Sequence, residues 1–242
     1  DPGDFRSRIA VLELGGSPAI VCNQRGEWCT RSAVHKSTDG SSVIGEDAVQ
    51  RGGVEPDGYV EHFKPHLGTN DNLLRNGQVL LAGQALKLIF QSQKEDAERA
   101  TNTKQEHVVC LCPVHFRDNQ KADQLAACEQ CGLKVLQSTP EPVAAVYAFG
   151  IQRAGKPCIV HVADVGHWTS DVCVATVEGN TITVVAAEGL CVGGRDFDAI
   201  ITKRVLDHVQ REFGSLPDLT NDALCYLDLF RQGEQAEIAL SN

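Results

Sequence analysis

Two Asp-x-Gly turns, each feeding a short apolar hairpin at the same offset, constrain this chain more than any other feature. Asp1-Pro2-Gly3 precedes Ile9 and Val11 by eight and ten positions, and Asp164-Val165-Gly166 precedes Val172 and Val174 by the same offsets. The runs at 9–12 and 19–22 join through Gly15 and Gly16, and those at 172–177 and 182–186 join around Gly179. Apolar runs meeting at a glycine-permitted turn signal a hairpin. The repeated design reads as an internal duplication.

Between the hairpins the pattern changes. Leu86, Ile89, Phe90 and Ala97 fall at helical spacing, and HVVCLC at 107–112 is a continuous apolar run suited to a strand buried on both faces. The spacing predicts a helix over 119–131, a strand over 133–136, a helix over 142–149 and a second buried strand, CIVHVA, at 158–163. Phe197, Ile201, Val205, Val209 and Phe213 recur every four residues and predict the core face of a long helix after Gly193-Gly194. A more polar helix is expected over about 221–240. Hairpin, helix, strand, helix, strand, helix and hairpin again is the order of an α/β protein mixing parallel and antiparallel strands. The Gly/Asn-rich stretch 68–83 is the one candidate for an excised or disordered segment.

Composition excludes several classes. The 242 residues are 42% hydrophobic, enough for one large core or two moderate lobes, and the formal charge is −10. With no long Lys/Arg run, neither a nucleic-acid surface nor an acidic-membrane patch is expected. No apolar stretch is long enough to span a bilayer, and DPGDFRSR is unlike a secretory leader, so a soluble chain is expected. There is no Met, and Asp1 lacks the strand that the pattern calls for before it, so the chain reads as trimmed. Ten cysteines sit in apolar segments of a chain too long to need disulfide staples, which suits a reducing compartment. Cys128-x-x-Cys131 with Cys110 and Cys112 admits a zinc site, but no histidine pair completes the set. Positions three apart on a helix share a face, where free cysteine packs as a small hydrophobe.

An Asp at a strand end, followed by x-Gly and a hairpin, places a carboxylate beside backbone N–H groups that approach a phosphate closely because glycine has no Cβ. Two such turns facing across a cleft, with a divalent cation held through water by the carboxylates, suit a nucleoside triphosphate.

Six ordered stretches make this specific. DVGHWTSDV at 164–172 and VGGRDFD at 192–198 resemble the second phosphate loop and adjoining signature of the seventy-kilodalton heat-shock chaperone family. CPVHFRDNQK at 112–121, GLKVLQSTPEPVAAVYAFG at 132–150 and the stretches 9–26 and 45–68 follow the same family order. The resemblance implies an actin-like ATPase (ribonuclease H-like) α/β fold of two lobes, each with a mixed β-sheet flanked by helices. Residues 1–150 would form the first lobe, shortened near 68–83, and 151–242 an incomplete second lobe. It further implies ATP or ADP with magnesium. Lys64 would orient the attacking water, Glu141, Asp164 and Asp1 would hold the metal through water, Asp171 would support the metal site, and Thr169 would donate to phosphate. Gly3 and Gly166 belong to the two phosphate turns, whereas Gly193, Gly194, Glu234 and Ser241 would line the nucleoside side. Pro113 and Lys121 would join the relay to a peptide-binding half. Implied partners are co-chaperones or a ribosome-associated chaperone, with unfolded clients reached only through a domain outside this chain, in the cytoplasm and under stress.

The departures from the family pattern concern one pocket. Asp4 and Phe5 replace paired threonines in the first loop. Two unit charges ~4 Å apart repel by about 4 kcal/mol at an effective dielectric of about 20, so Asp4 opposes phosphate unless it turns away. His167 and Trp168 replace two glycines of the second loop, and Glu237 and Ile238 replace basic residues on the adenosine side. His167 and Trp168 could build a new ligand platform or fill the pocket themselves. Lys64, Glu141, Asp164 and Asp171 suit either catalysis or an ion-pair network holding two lobes together. The expectation is a pseudo-ATPase, with an active chaperone ATPase as the alternative and a sugar kinase of the same superfold resting on fold analogy alone.

Overall fold

The computed structural model describes the chain except for residues 13–15, 151–154, 215–228, 230, 231, 234, 237, 238 and 240–242. The chain divides into two compact units, Asp1–Asp164 with Asp171–Gly189, and Val165–Ser170 with Leu190–Asn242.

The first unit opens on a short ladder in which β1 (Arg6–Ser7) pairs antiparallel with β4 (Thr30–Arg31). Between them lies the first hairpin, β2 (Ala10–Leu12) against β3 (Pro18–Ile20), with Val11 opposite Ala19. A second antiparallel sheet runs β6 (Ser42–Ile44), β5 (Ala33–Lys36), β7 (Tyr59–Glu61). Helix α1 (Gly45–Gly52) closes it, packing Ala48 and Val49 on Ala33.

The main core lies around α2 (Ala82–Thr101). Leu86, Ile89, Phe90 and Ala97 are all buried, as their helical spacing predicts. Full burial of a Leu, Ile or Phe side chain contributes about 1.5–3 kcal/mol each. Gln84 caps the helix by accepting from the Leu81 N–H at 3.0 Å, and Asn102 ends it in the left-handed region at φ 51°. Strand β8 (His107–Cys112) and β9 (Lys134–Pro140) pair in parallel, so the chain between them must cross over, and α3 (Asp118–Gln130) does so. Helix α4 (Glu141–Ala148) follows β9 directly. Cys110, Cys112 and Cys128 pack in this core, and the Gln124 amide donates to Cys110 Sγ at 3.0 Å. Among the described residues no metal-holding cluster of His, Cys, Asp or Glu occurs. Strands β10 (Cys158–Val165), β11 (Ser170–Glu178) and β12 (Thr181–Leu190) form the last sheet in that order, with the second hairpin turning at Gly179-Asn180. In the second unit the main element is α5 (Gly194–Phe213), ended by Gly214 at φ 74°.

The mixed α/β architecture is thus five helices and five small sheets, one of them parallel, among the described residues. Several local expectations need correction. The strands β8 and β10 are not buried on both faces: Val109 is 52% and Ile159 67% exposed, while Cys110 and Cys112 turn into the core. Cys110 and Cys112 join the core that residues of α2 and α3 line, while Val109 between them stays exposed, so an unbroken apolar run did not guarantee two-sided burial. On α5 the buried residues are Asp198 and Thr202, whereas Phe197, Val205 and Phe213 are exposed. The stretch 68–83 has definite form. Asn72 Oδ1 accepts from the Leu80 N–H at 3.0 Å, Asn76 donates to the Lys36 carbonyl at 2.7 Å, and Leu74 and Leu80 enter the core. Asparagine side chains replace ladder hydrogen bonds there, which a composition-based reading takes for disorder. The expected last helix falls mostly outside the described residues. Among the described residues no helix is long and apolar enough to cross a membrane.

Candidate functional site

In the first unit, four of the residues singled out from the sequence come together. Lys64 opens a 3-10 turn, Lys64–His66, behind the buried Phe63, which fixes the backbone and leaves the lysine stem inside the protein. Its Nζ lies 5.4 Å from the centre of the Phe116 ring and 4.0 Å from Glu141 Oε1. Glu141 is the first residue of α4, set there because β9 ends at Pro140 and proline cannot extend a ladder. Burial raises the Glu141 pKa. The Lys64 charge opposes that rise, Asp164 and Asp171 add to it, and His115 opposes it again. Asp164 and Asp171 therefore both bear on Glu141 electrostatically.

Asp171, buried in β11, accepts a hydrogen bond from His115 Nδ1 at 2.7 Å. The His115 ring meets Phe116 edge-on, with centroids 5.8 Å apart. A Cβ on Gly189 of β12 would stand 2.8 Å from Asp171 Oδ1 and 2.9 Å from His115 Nδ1, so the pair exists only because that position has no side chain. His115 lies within one of the quoted sequence stretches but carried no signal of a role, because its partner is 56 residues away.

The first loop adjoins the same group. Asp1 and Arg8 exchange backbone hydrogen bonds at 3.1 and 2.9 Å. Cys110, Lys64 and Glu141 lie close enough to Asp1 to bear on it electrostatically. Gly3 accepts at its carbonyl from Ser32 Oγ at 2.7 Å. Asp4 does not stand as a bare charge: its Oδ2 accepts from His62 Nδ1 at 3.1 Å. Burial alone would lower the His62 pKa, but hydrogen bonds to Asp4 and Glu61 and their charges outweigh it and raise it to about 9. The protonated form of His62 is thereby favoured, and it faces the Asp4 carboxylate as its counter-charge. Phe5 lies under the Arg31 guanidinium at 3.5 Å, and Arg31 reaches Glu61 at 3.0 Å. None of His62, Arg31 and Glu61 was signalled by the sequence.

The second loop belongs to the second unit. Gly166 N–H donates to the Thr169 carbonyl at 2.8 Å, closing the turn on itself. The first amides of α5 are also taken. Gly194 N–H donates to Gly166 O at 3.0 Å, Arg195 N–H to His167 O at 2.9 Å, and Gly193 N–H to Asp196 Oδ2 at 2.9 Å. Ser170 Oγ bonds Val192 O at 2.7 Å. The Arg195 guanidinium lies 4.1 Å from the centre of a Trp168 ring. A Cβ on Gly193 would stand 2.6 Å from both Gly166 O and His167 O, so only glycine permits this closure.

Pro113 follows β8 and accepts from Phe116 N–H at 3.3 Å, and Lys121 lies in the first turns of α3. Glu234, Ser241, Glu237 and Ile238 lie outside the described residues.

Two different answers emerge when the group is tested against its expected ligands. Glu141, Asp164 and Asp171 bring three carboxylates toward Lys64 and His115, but among the described residues no group of His, Cys, Asp or Glu is arranged to hold a metal ion directly, so the group suits at most a cation bound through its waters. The amides of the second loop suit phosphate poorly, because those at Gly166, Gly193, Gly194 and Arg195 already have partners.

An α/β chain with a repeated Asp-x-Gly hairpin and a lysine-carboxylate group at its strand ends falls in the actin-like ATPase class. The family model described as Hsp70 protein matches residues 72–242, more than half of the chain. The chain belongs to the Hsp70 family.

Proposed function

We propose that this chain is the nucleotide-binding domain of a divergent Hsp70-family chaperone with weakened or lost ATP hydrolysis, serving protein folding as a scaffold or partner subunit. Its ligands are ATP or ADP with magnesium, bound weakly. Lys64 and Asp171 act on the attacking water and the metal site, and Glu141, Asp164 and Asp1 hold the magnesium ion's waters. Gly3, Gly166 and Thr169 face the phosphates, and Gly193, Gly194, Glu234 and Ser241 the nucleoside. Residues 1–150 make up the first lobe and 151–242 part of the second. Partners are co-chaperones or a ribosome-associated chaperone in the cytoplasm.

The observation that carries the reading is the second loop, where Gly166 and the first amides of α5 are spent on internal hydrogen bonds and Trp168 stacks on Arg195. A phosphate entering there must displace bonds each worth about 0.5–1.5 kcal/mol net, in addition to the stacking. Calorimetric titration with ATP and magnesium tests this. Weaker-than-micromolar affinity is expected, and micromolar or tighter binding with turnover contradicts it.

An active chaperone ATPase is the second reading. It is favoured by the Lys64–Glu141 contact at 4.0 Å and by the neutralisation of Asp4 by His62. On that reading the chain turns over ATP at micromolar concentrations and Lys64→Ala abolishes the turnover, whereas the leading reading gives no turnover at those concentrations to lose.

A further inference from the structure

We propose that Cys110 and Cys128 form a peroxide-sensitive thiol pair, which oxidation converts into a disulfide that ties β8 to α3 and clamps the segment between them. The inference does not depend on whether the chain binds nucleotide.

Four cysteines fall within residues 110–131, and their hydrogen bonds divide them into one facing pair and two turned elsewhere. Ser138 of β9 donates to Cys112 Sγ at 3.3 Å, and Cys131 Sγ donates to the Lys87 carbonyl of α2 at 3.2 Å. Cys110 and Cys128 are buried in the same core, and the Cys128 thiol is hydrogen-bonded to the Cys110 sulfur. Gln124 lies one turn before Cys128 on the same face of α3. Its amide donates to Cys110 Sγ at 3.0 Å and to the Leu111 carbonyl at 2.7 Å, which pins α3 to β8 beside Cys128. Both donors also favour a thiolate. The Cys128 hydrogen bond and the Gln124 amide outweigh burial and hold the Cys110 thiol below its ordinary value, while the same bond and burial hold Cys128 above it. One sulfur is thus prepared as the nucleophile, and its neighbour keeps the proton that the reaction consumes.

The oxidant is a peroxide. The Cys110 thiolate forms a bond to one peroxide oxygen as the O–O bond breaks, and the departing oxygen keeps the electron pair, takes the proton of Cys128 and leaves as water. The Cys128 thiolate so formed attacks the sulfur of the Cys110 sulfenic acid. The S–O bond breaks, and hydroxide leaves to take up the proton that Cys110 had released. Two thiols are oxidised, one peroxide is reduced and two waters form. Cys110 is 3% and Cys128 1% exposed, so the oxidant must be as small as hydrogen peroxide, and bulkier thiol reagents meet the exposed Cys22 and Cys191 first. The ring closed by the disulfide contains Pro113, His115 and Phe116, so oxidation restrains the residues that meet Asp171 and Lys64.

The test uses the unaltered full chain. Exposed thiols are blocked with iodoacetamide under native conditions, and the protein is then treated with hydrogen peroxide, unfolded, alkylated with a second reagent and digested with trypsin. Mass spectrometry is expected to find peptide 105–117 joined to peptide 122–134, with fragment ions placing the bond between Cys110 and Cys128 and dithiothreitol separating the two. The oxidised chain is expected to melt about 5 °C or more above the reduced one, because the bond restricts the unfolded chain. Cys112→Ser is expected to keep the cross-link and Cys128→Ser to lose it. A bond placed on Cys112 or Cys131 overturns the inference. So does Cys110 recovered as a free thiol, as sulfinic acid or already carrying the first reagent, and so does a Tm unchanged or lowered by oxidation.

Discussion

His62 Nδ1 lies 3.1 Å from Asp4 Oδ2 across 58 residues of sequence, and the backbone at His62 takes a φ of 56° to put it there. A non-glycine residue in the left-handed region costs about 1–3 kcal/mol, so the pairing must repay that strain. The imidazole is held protonated in the fold up to about 9, against its ordinary value of 6.5. A raised histidine value contributes stability that is whole below 6.5 and disappears as pH rises through about 9. Thermal melts across that window should show Tm falling with pH, and His62→Ala should remove most of the fall. A flat wild-type profile contradicts the pairing.

Arg31 serves two neighbours at once, stacking on Phe5 and bonding Glu61, with its side chain 12% exposed. Arg31→Ala leaves the Glu61 carboxylate half-compensated and Phe5 uncovered. Urea unfolding should show a loss of about 3 kcal/mol, well above that of a surface ion pair. A loss like that of Lys104→Ala, whose pair with Glu106 is exposed, would be inconsistent with this arrangement.

Glu141 is held above its ordinary carboxylate range by burial, with Asp164 and Asp171 adding to the shift. A raised carboxyl value means that ionisation opposes folding, so stability is lost as pH rises from the ordinary range through the folded value. Glu141→Gln should therefore stabilise the metal-free chain. Magnesium should raise the Tm of the unaltered chain and leave that of the variant unmoved. Equal magnesium shifts in both would remove Glu141 from the metal site.

Gly189→Ala adds one methyl group where Asp171 and His115 meet. Overpacking of this kind costs about 1–3 kcal/mol. Chemical denaturation should show it, together with a changed His115 resonance. An unperturbed resonance would mean that the pair does not pass so close to the glycine.

The sequence was legible where local pattern and tertiary environment agree. The face Leu86, Ile89, Phe90 and Ala97 is buried as its spacing requires, and α3, β9 and α4 fall within a few residues of expectation. It was not legible in α1 and the sheet it covers, where strands of three or four residues and an eight-residue helix flanked by glycine are too short for a period to register. Phe197 and Phe213 misled because a helical apolar stripe reports what a helix can bury, and here Asp198 and Thr202 are the buried residues. In the candidate site, Lys64, Glu141, Asp164 and Asp171 stood out through their motifs. Their companions His62 and His115 did not, since each acquires its meaning from a carboxylate more than fifty residues distant.

Affinity for magnesium ATP, compared between the unaltered chain and His167→Gly/Trp168→Gly, is the most direct test of the central claim that the second loop fills its own phosphate cradle. Removing the indole from Arg195 and restoring two flexible positions should free the amides of Gly166 and α5, tightening binding by about tenfold or more, equivalent to about 1.4 kcal/mol. Equal affinity in the two proteins, or micromolar binding before the change, would contradict it.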